Sequence, residues 1–299
     1  MVSHPAYNNN TNCDKIVAKI TRKEMENMWV ALAILVVLFF IWMVLVMPAR
    51  SSKAQRAPFQ NRMFAHRGLF KQDQSVPENS LLAFQHAVDA DYGVELDVQL
   101  TKDKVVVVFH DDDLKRVCGI DARVDAYTFE ELQAFPLFGS EHRIPTFTDV
   151  LGVLNGKIPV IVELKAGGDW KRLCELTLEL LNGYKGDYCV ESFHPLLVRW
   201  FYLHAPQILR GQLSEAARYS KRYVPFYQAI MMSRLFTNVL THPQFIAYHI
   251  GPKCLSVRLS EALGAMKVAW TARPKDDHAK LTRKNDAIIF EHYRPESRF

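Results

Sequence analysis

The sequence predicts a TIM barrel, (β/α)8, with a β-hairpin and a small insertion after its second strand, preceded by one transmembrane helix. Three observations carry this fold class. Short apolar runs alternate with amphipathic stretches eight times over about 235 residues, the rhythm of repeated strand–crossover–strand units. One run, "VVVVFHD" from Val105, follows its predecessor after only a few residues. That is too short for a parallel crossover, so this run returns antiparallel. Residues 29–47 are nineteen apolar residues without a charge, roughly 28 Å of helix and enough to cross the hydrocarbon of a bilayer. A doubly wound open sheet also fits the alternation and stands as the structural alternative.

From the N-terminus, the expected order is a tail over 1–28, the apolar helix over 29–47, a linker over 48–61 and a globular domain over 62–299. The alternative for the apolar segment is a cleaved signal peptide, but its apolar core should be shorter, and "MPARSS" is a poor small-residue cleavage site. A single-pass membrane protein is the expectation. Lys15, Lys19, Arg22 and Lys23 precede the span and Arg50, Lys53, Arg56 and Arg62 follow it, so the positive-inside rule assigns no side. The linker, "PARSSKAQRAPFQN", is rich in Pro, Ser and basic residues.

Of 37 Lys/Arg and 32 Asp/Glu, residues 1–62 hold eight and three, leaving 29 of each in the remainder. The globular part is therefore formally neutral. A basic face for nucleic acid is therefore not indicated, while the charge beside the apolar helix suits anionic headgroups. Five cysteines without a C-x-x-C pattern read as buried free thiols. Asn9-Asn10-Thr11 formally fits a glycosylation acceptor, a pattern common by chance.

The eight candidate strands are "MFAH" at 63, "VELDV" at 94, "PVIVEL" at 159, "YCVESF" at 188, "ILRGQL" at 208, "FIAYHI" at 245, "KVAWT" at 267 and "AIIFE" at 287. Segments such as "SLLAFQHAVDA" and "WKRLCELTLELLNGY" between them repeat apolar residues every three or four positions, as helices packed on a sheet do. His110 ends the hairpin strand and comes back toward the end of the strand bearing Glu95 and Asp97.

Glu95 and Asp97 are two apart and so point to one side of their strand. Two carboxylates on a barrel-facing surface repel and lose hydration unless a cation or a proton compensates them. Glu163 closes another apolar strand, with Lys165 two residues on. Three strand-end carboxylates form an oxygen-rich site suited to one divalent cation, Mg²⁺ or Ca²⁺, and poor in the ligands zinc favours. His66 in "FAHRG" and His110 offer an acid/base pair near neutral pH. Arg67 supplies a planar fork for phosphate oxygens and Lys165 a point charge. Metal, imidazoles and cations together describe a site for cleaving a phosphate ester.

The motifs "AHRG", "PENSLLAFQHA", "VELDVQLTKD", "VVFHDDDLKRVCG", "IPTFTDVL", "VIVELK", "ESF" and "AWT" occur in the order and spacing of the glycerophosphodiester phosphodiesterase family, which the chain resembles over about residues 63–273. The resemblance implies hydrolysis of a glycerophosphodiester to an alcohol and glycerol 3-phosphate. It also implies metal ligands Glu95, Asp97 and Glu163, acid/base histidines His66 and His110, phosphate held by Arg67 and Lys165, and Glu78 with Asn79 ordering a loop at the substrate. Trp270, at a strand end, reads as a further substrate contact at the mouth, with an ordinary barrel tryptophan the alternative. The chain departs from the family in two places. Lys104 stands where many members have glycine, and "IIFEHYRP" replaces a Thr-Asp pair, which leaves open the substrate-side wall at Glu291 and His292.

With a tether beside the site, lysophospholipids and N-acyl glycerophospholipids are candidate substrates beside deacylated diesters. Related barrels with phospholipase D-like or phospholipase C-like outcomes are the enzymatic alternative. A non-catalytic tethered binder is the other, and it should have lost one of the five metal or histidine positions, all of which are here. Residues 126–138, "AYTFEELQAFPLF", read as the core of the insertion, with an acyl site the alternative. "YVPFYQAIMMSRLF" from Tyr223 reads as a barrel helix, with a bilayer contact the alternative. Nothing in the sequence fixes the number of subunits.

Overall fold

Runs of Val, Ile and Phe bounded by turn residues form nine strands: β1 Arg62–His66, β2 Gly93–Leu100, β3 Val106–Val108, β4 Val160–Leu164, β5 Tyr188–Ser192, β6 Arg210–Ser214, β7 Phe245–His249, β8 Met266–Ala272 and β9 Ala287–Phe290. In the computed structural model, which describes residues 10–221 and 224–299, eight of them run parallel in the order β1-β2-β4-β5-β6-β7-β8-β9, and β1 pairs with both β2 and β9, closing a TIM barrel. Closure sets aside the open doubly wound sheet. β3 is the predicted hairpin arm, antiparallel to the end of β2 with Val98 opposite Val108. Its turn places Lys104 at φ 67°, a left-handed backbone that strains a residue bearing a Cβ and that glycine adopts freely.

Alternation along each strand divides the core in two. Val94, Leu96, Val98, Val160 and Val162 face outward and pack with Phe84, Phe147, Leu173 and Phe201 of the surrounding helices. Phe64, Ile161, Cys189, Leu209, Phe245, Met266 and Ile289 face inward and fill the barrel. Glu95, Asp97 and Glu163 fall in the inward series, and register sets Asp97 beside Glu163 and Glu163 beside Glu191 on neighbouring strands.

The chain divides into a unit ending at Leu45 and a unit over Val46–Phe299. One helix, Asn10–Val46, accounts for the described part of the first, and its Thr21–Val46 stretch, with an 18-residue window of mean hydropathy 3.0, is long and apolar enough to cross a membrane. The helix begins well before residue 29, because the mixed polar and apolar residues 10–28 continue its turns. Residues 1–9 of the expected tail, including Asn9 of the acceptor pattern, lie outside the described residues.

Residues 48–61 differ from the expected linker. They belong to the barrel unit, with Ala49 N donating to Pro243 O, Arg56 Nη2 to Gly264 O and Asn61 N to Asp286 O. The physical reason is Phe59, the one large apolar side chain in that stretch. It is buried and stacks on Phe64 at 6.1 Å, closing the floor of the barrel.

The inner layer leaves no room at Gly211, where an added Cβ would lie 2.0 Å from the Phe245 ring. Gly211→Ala is expected to destabilise the barrel by about 1–3 kcal/mol through overpacking, read as a lowered thermal midpoint, with Phe245→Leu restoring part of it. An unchanged midpoint would contradict this packing.

Candidate active site

Immediately after β1 the backbone turns through Arg67 (φ 55°) and Gly68 (φ 80°). A Cβ on Gly68 would meet Ala83 Cβ at 2.9 Å, so glycine permits both the left-handed turn and the close approach of the helix Leu81–Asp89. The turn aims the Arg67 N–H at Glu95 Oε2, 3.2 Å away. Asn79, also at positive φ, donates from Nδ2 to Asp97 Oδ2 at 3.0 Å, and Ser80 caps the helix by accepting from Ala83 N. The "PENS" motif thus couples a helix start to a carboxylate of β2.

Glu95, Asp97 and Glu163 are buried, and each offers an oxygen within 4.8 Å of the others. Burial pushes the Glu95 carboxyl well above its ordinary range, with Asp97 and Glu163 adding to the push, and burial raises Glu163 too. Asp97 is held low, because Lys165, His110 and Arg67 outweigh its own burial. Lys165 Nζ bridges Asp97 Oδ1 and Glu163 Oε1, each at 2.9 Å. Compensation is incomplete: Glu191, on the adjoining strand, is a further buried carboxyl raised by burial and by Glu163, and its Oε2 has no hydrogen-bond partner. All-oxygen donors with excess negative charge fit a hard divalent cation, so this trio could hold one.

The two histidines stand at different strand ends and are each held by a carboxylate. His66 Nδ1 lies 2.7 Å from Glu291 Oε2, and His110 Nδ1 lies 2.6 Å from Asp111 Oδ1. An ionised carboxylate can only accept, so Nδ1 carries the proton in both rings and Nε2 is the open nitrogen. His66 Nε2 is 3.9 Å from Glu95 Oε2. Burial, then Arg67, lowers the His66 pKa, and burial with Lys165 lowers that of His110 to about 4. Glu291 is lowered to about 2, its burial outweighed by His66 and Arg273.

Glu78 was expected near the substrate, and both its oxygens are already taken. Arg67 Nη1 donates to it at 2.7 Å, and Arg116 donates from Nη2 at 2.6 Å and Nη1 at 3.0 Å. Arg116 also reaches Asp111, from Nε at 2.7 Å. Glu78 is therefore the centre of a network that fixes Arg67 and, through Arg116 and Asp111, His110. Arg67 and Lys165 keep unused N–H groups after these bonds, since a guanidinium carries five and an ammonium three.

Trp270 donates from its indole N–H to Ala247 O at 3.0 Å and meets Phe193 edge-on at 5.5 Å and His249 at 5.1 Å. The insertion residues Phe129, Phe135 and Phe138 pack against a core of Val107, Phe109, Leu114, Leu132 and Leu137. Insertion core, not an open acyl site, describes them.

Sequence reasoning missed Glu291, Asp111 and Arg116 as partners. Asp111 had a local signal, its place directly after His110. Glu291 had none, because it meets His66 only when the last strand closes on the first.

The family model for the glycerophosphoryl diester phosphodiesterase family matches residues 66–294. A glycerophosphodiester phosphodiesterase from Caldanaerobacter subterraneus is 29% identical over 242 residues, covering 76% of this chain and 92% of the relative. The rat lysophospholipase D GDPD1 is 29% identical over 160 residues, 49% of each chain. Among solved structures, a phosphodiesterase from Oleispira antarctica in complex with the product sn-glycerol-3-phosphate superimposes with a TM-score of 0.64, at 22% identity, over 78% of this chain and 94% of that one. This last likeness bears on the fold.

If the trio takes a divalent ion, adding Mg²⁺ or Ca²⁺ to chelator-treated protein should raise the thermal midpoint, with about 2.7 kcal/mol gained at a hundredfold excess over Kd. Asp97→Asn should abolish the response. A midpoint indifferent to both ions would argue against the site.

Proposed function

The chain belongs to the glycerophosphoryl diester phosphodiesterase family, and from that premise we propose that it hydrolyses glycerophosphodiesters or lysophospholipids to an alcohol and glycerol 3-phosphate or a lysophosphatidic acid. The observation that carries this reading is the pair of carboxylate-held imidazoles beside a buried trio of acids and two cations.

In this reading Glu95, Asp97 and Glu163 hold one divalent ion, Mg²⁺ or Ca²⁺. When bound, such an ion supplies Lewis-acid stabilisation of charge on the phosphoryl group. Lys165 and Arg67 place their remaining N–H groups on the phosphate oxygens. The hydroxyl neighbouring the ester attacks phosphorus. One histidine takes its proton at Nε2, and the other, protonated once the anionic phosphodiester lies beside it, gives a proton to the departing alkoxide. Water then opens the cyclic phosphate with the two roles exchanged. No protein atom acts as nucleophile. Glu291 and Asp111 keep Nδ1 protonated, so the reactive nitrogen is the one that faces the substrate. Trp270 lines the substrate side.

The lysophospholipid branch of this proposal is a lysophospholipase D-type reaction, supported by the rodent relatives of that name. It uses the same residues and differs in the acyl chain that the mouth must admit. The apolar helix ending at Val46 serves in this proposal as a single-pass anchor for the domain over 62–299, with a signal peptide as its alternative.

His66→Ala and His110→Ala should each lower turnover of glycerophosphocholine at least ~100-fold, the scale of lost proton transfer. Choline release at the wild-type rate in either variant would refute the assigned role. Glu291→Gln should slow turnover by about 10²-fold or more, as expected when a histidine loses its orienting carboxylate. Since Glu291 raises the His66 pKa, removing it lowers that pKa further. If neutral His66 is the base, activity is lost as pH falls through its pKa, so the acid limb of kcat/KM should move to lower pH in Glu291→Gln. An unmoved limb would assign the base role to His110.

A further inference from the structure

We propose that the segment between β6 and β7 is a membrane-contact surface in its own right, resting on the headgroup layer of an anionic bilayer beside the barrel mouth. The surface stands on residues separate from the apolar helix. Only its use in delivering lipid substrate rests on the phosphodiesterase reading.

The helix Phe226–Ser233 buries Ala229 and Ser233 and turns Phe226, Tyr227 and Met231 outward, exposed by 68, 63 and 43%. Phe226 and Ile230, like Tyr227 and Met231, are four residues apart and share a face. A barrel helix packed on the sheet has no reason to present two aromatics and a methionine to water, and such a patch marks a contact site. The charge around it is predominantly positive, and its one carboxylate, Glu215, lies at the base of the segment and accepts from Ser220 Oγ. Residues 216–237 contain Arg218, Lys221, Arg222 and Arg234 and no Asp or Glu, whereas residues 63–299 as a whole are balanced. Arg218, Lys221 and Arg234 are exposed. Apolar side chains flanked by four basic residues against one carboxylate match the interface of an anionic bilayer and match an ordinary protein surface poorly.

Position supports the same occupant. The segment leaves the barrel at Ser214, the carboxyl end of β6 and thus the mouth side, and Ser214 Oγ donates to Met232 O at 3.2 Å. The Tyr219 ring lies 5.2 Å from His249, which lies 5.1 Å from Trp270, so an aromatic line leads from this surface to the catalytic mouth. The chain also enters the barrel unit along this flank. Asn238 Nδ2 donates to Val46 O at 3.1 Å, Ala49 N to Pro243 O at 2.8 Å and Gln244 Nε2 to Arg50 O at 3.4 Å.

The test uses the full chain in phosphatidylcholine vesicles with and without phosphatidylserine, carrying an encoded environment-sensitive fluorescent residue at one of three positions. With the probe at Phe226, blue-shifted emission and quenching by shallow nitroxide lipids are expected in anionic vesicles, weakened by salt. With the probe at exposed Gln85, on the helix across the barrel, neither is expected. A probe at Val36 reports the apolar helix separately, so a failed anchor and a failed surface give different results. Equal, unquenched emission at Phe226 and Gln85 would overturn the proposal. So would a Phe226 probe shielded in detergent in a concentration-dependent manner, which would assign the patch to a second copy of the chain.

As a functional arm, combining Phe226→Ser, Tyr227→Ser and Met231→Ser should raise KM for vesicle-borne lysophosphatidylcholine by about tenfold and leave soluble glycerophosphocholine unaffected. An unchanged KM would count against the surface. If the unaltered chain hydrolyses neither substrate, the phosphodiesterase reading fails while the probe depths still decide the membrane contact.

Discussion

The structure turns on negative charge gathered where a barrel ordinarily puts valine. Glu95, Asp97 and Glu163, with Glu191 beside them, are taken out of water at one end of the closed sheet, and each loses hydration there that its neighbours cannot return. Lys165 and Arg67 answer part of that charge. The remainder is what leaves the trio able to hold a divalent cation.

The barrel makes the concentration possible because parallel strands in register bring residues far apart in sequence to one level. Asp97, Glu163 and Glu191 are neighbours across three strands. The inner layer below them is apolar and tightly filled, with Phe59 closing its floor. Side chains at the top are thus supported from beneath and cannot sink away from the substrate. The positions of the histidines follow from the same constraint. β1 delivers His66 directly, whereas His110 needs the antiparallel hairpin to return to the rim, and the Glu78–Arg116–Asp111 network ties the returning strand to the turn that holds Arg67.

Much of this was legible in the linear chain for a local reason. Alternation of period two told which carboxylates share a face, the short gap before Val105 forced a hairpin, and all eight barrel strands announced themselves as apolar runs. What was hidden is non-local. Glu291 read as a departure from a familiar strand end, and became the partner of His66 only through closure of β9 on β1. Phe59 looked like one aromatic in an open linker until the barrel offered it a floor to fill. Glu78 read as ordering a loop at the substrate, but nothing in "PENS" reveals that two arginines distant in sequence from each other occupy its oxygens.

By itself, then, the amino-acid order determined periodicity, the direction of each side chain along its strand, and the inventory of ionisable groups, because these depend on backbone geometry over a few residues. Only the tertiary structure decided which carboxylate orients which imidazole and which aromatic residues remain facing outward at the mouth. Those outcomes depend on how a closed sheet sets distant strand ends against one another, and no local rule of sequence carries that distance.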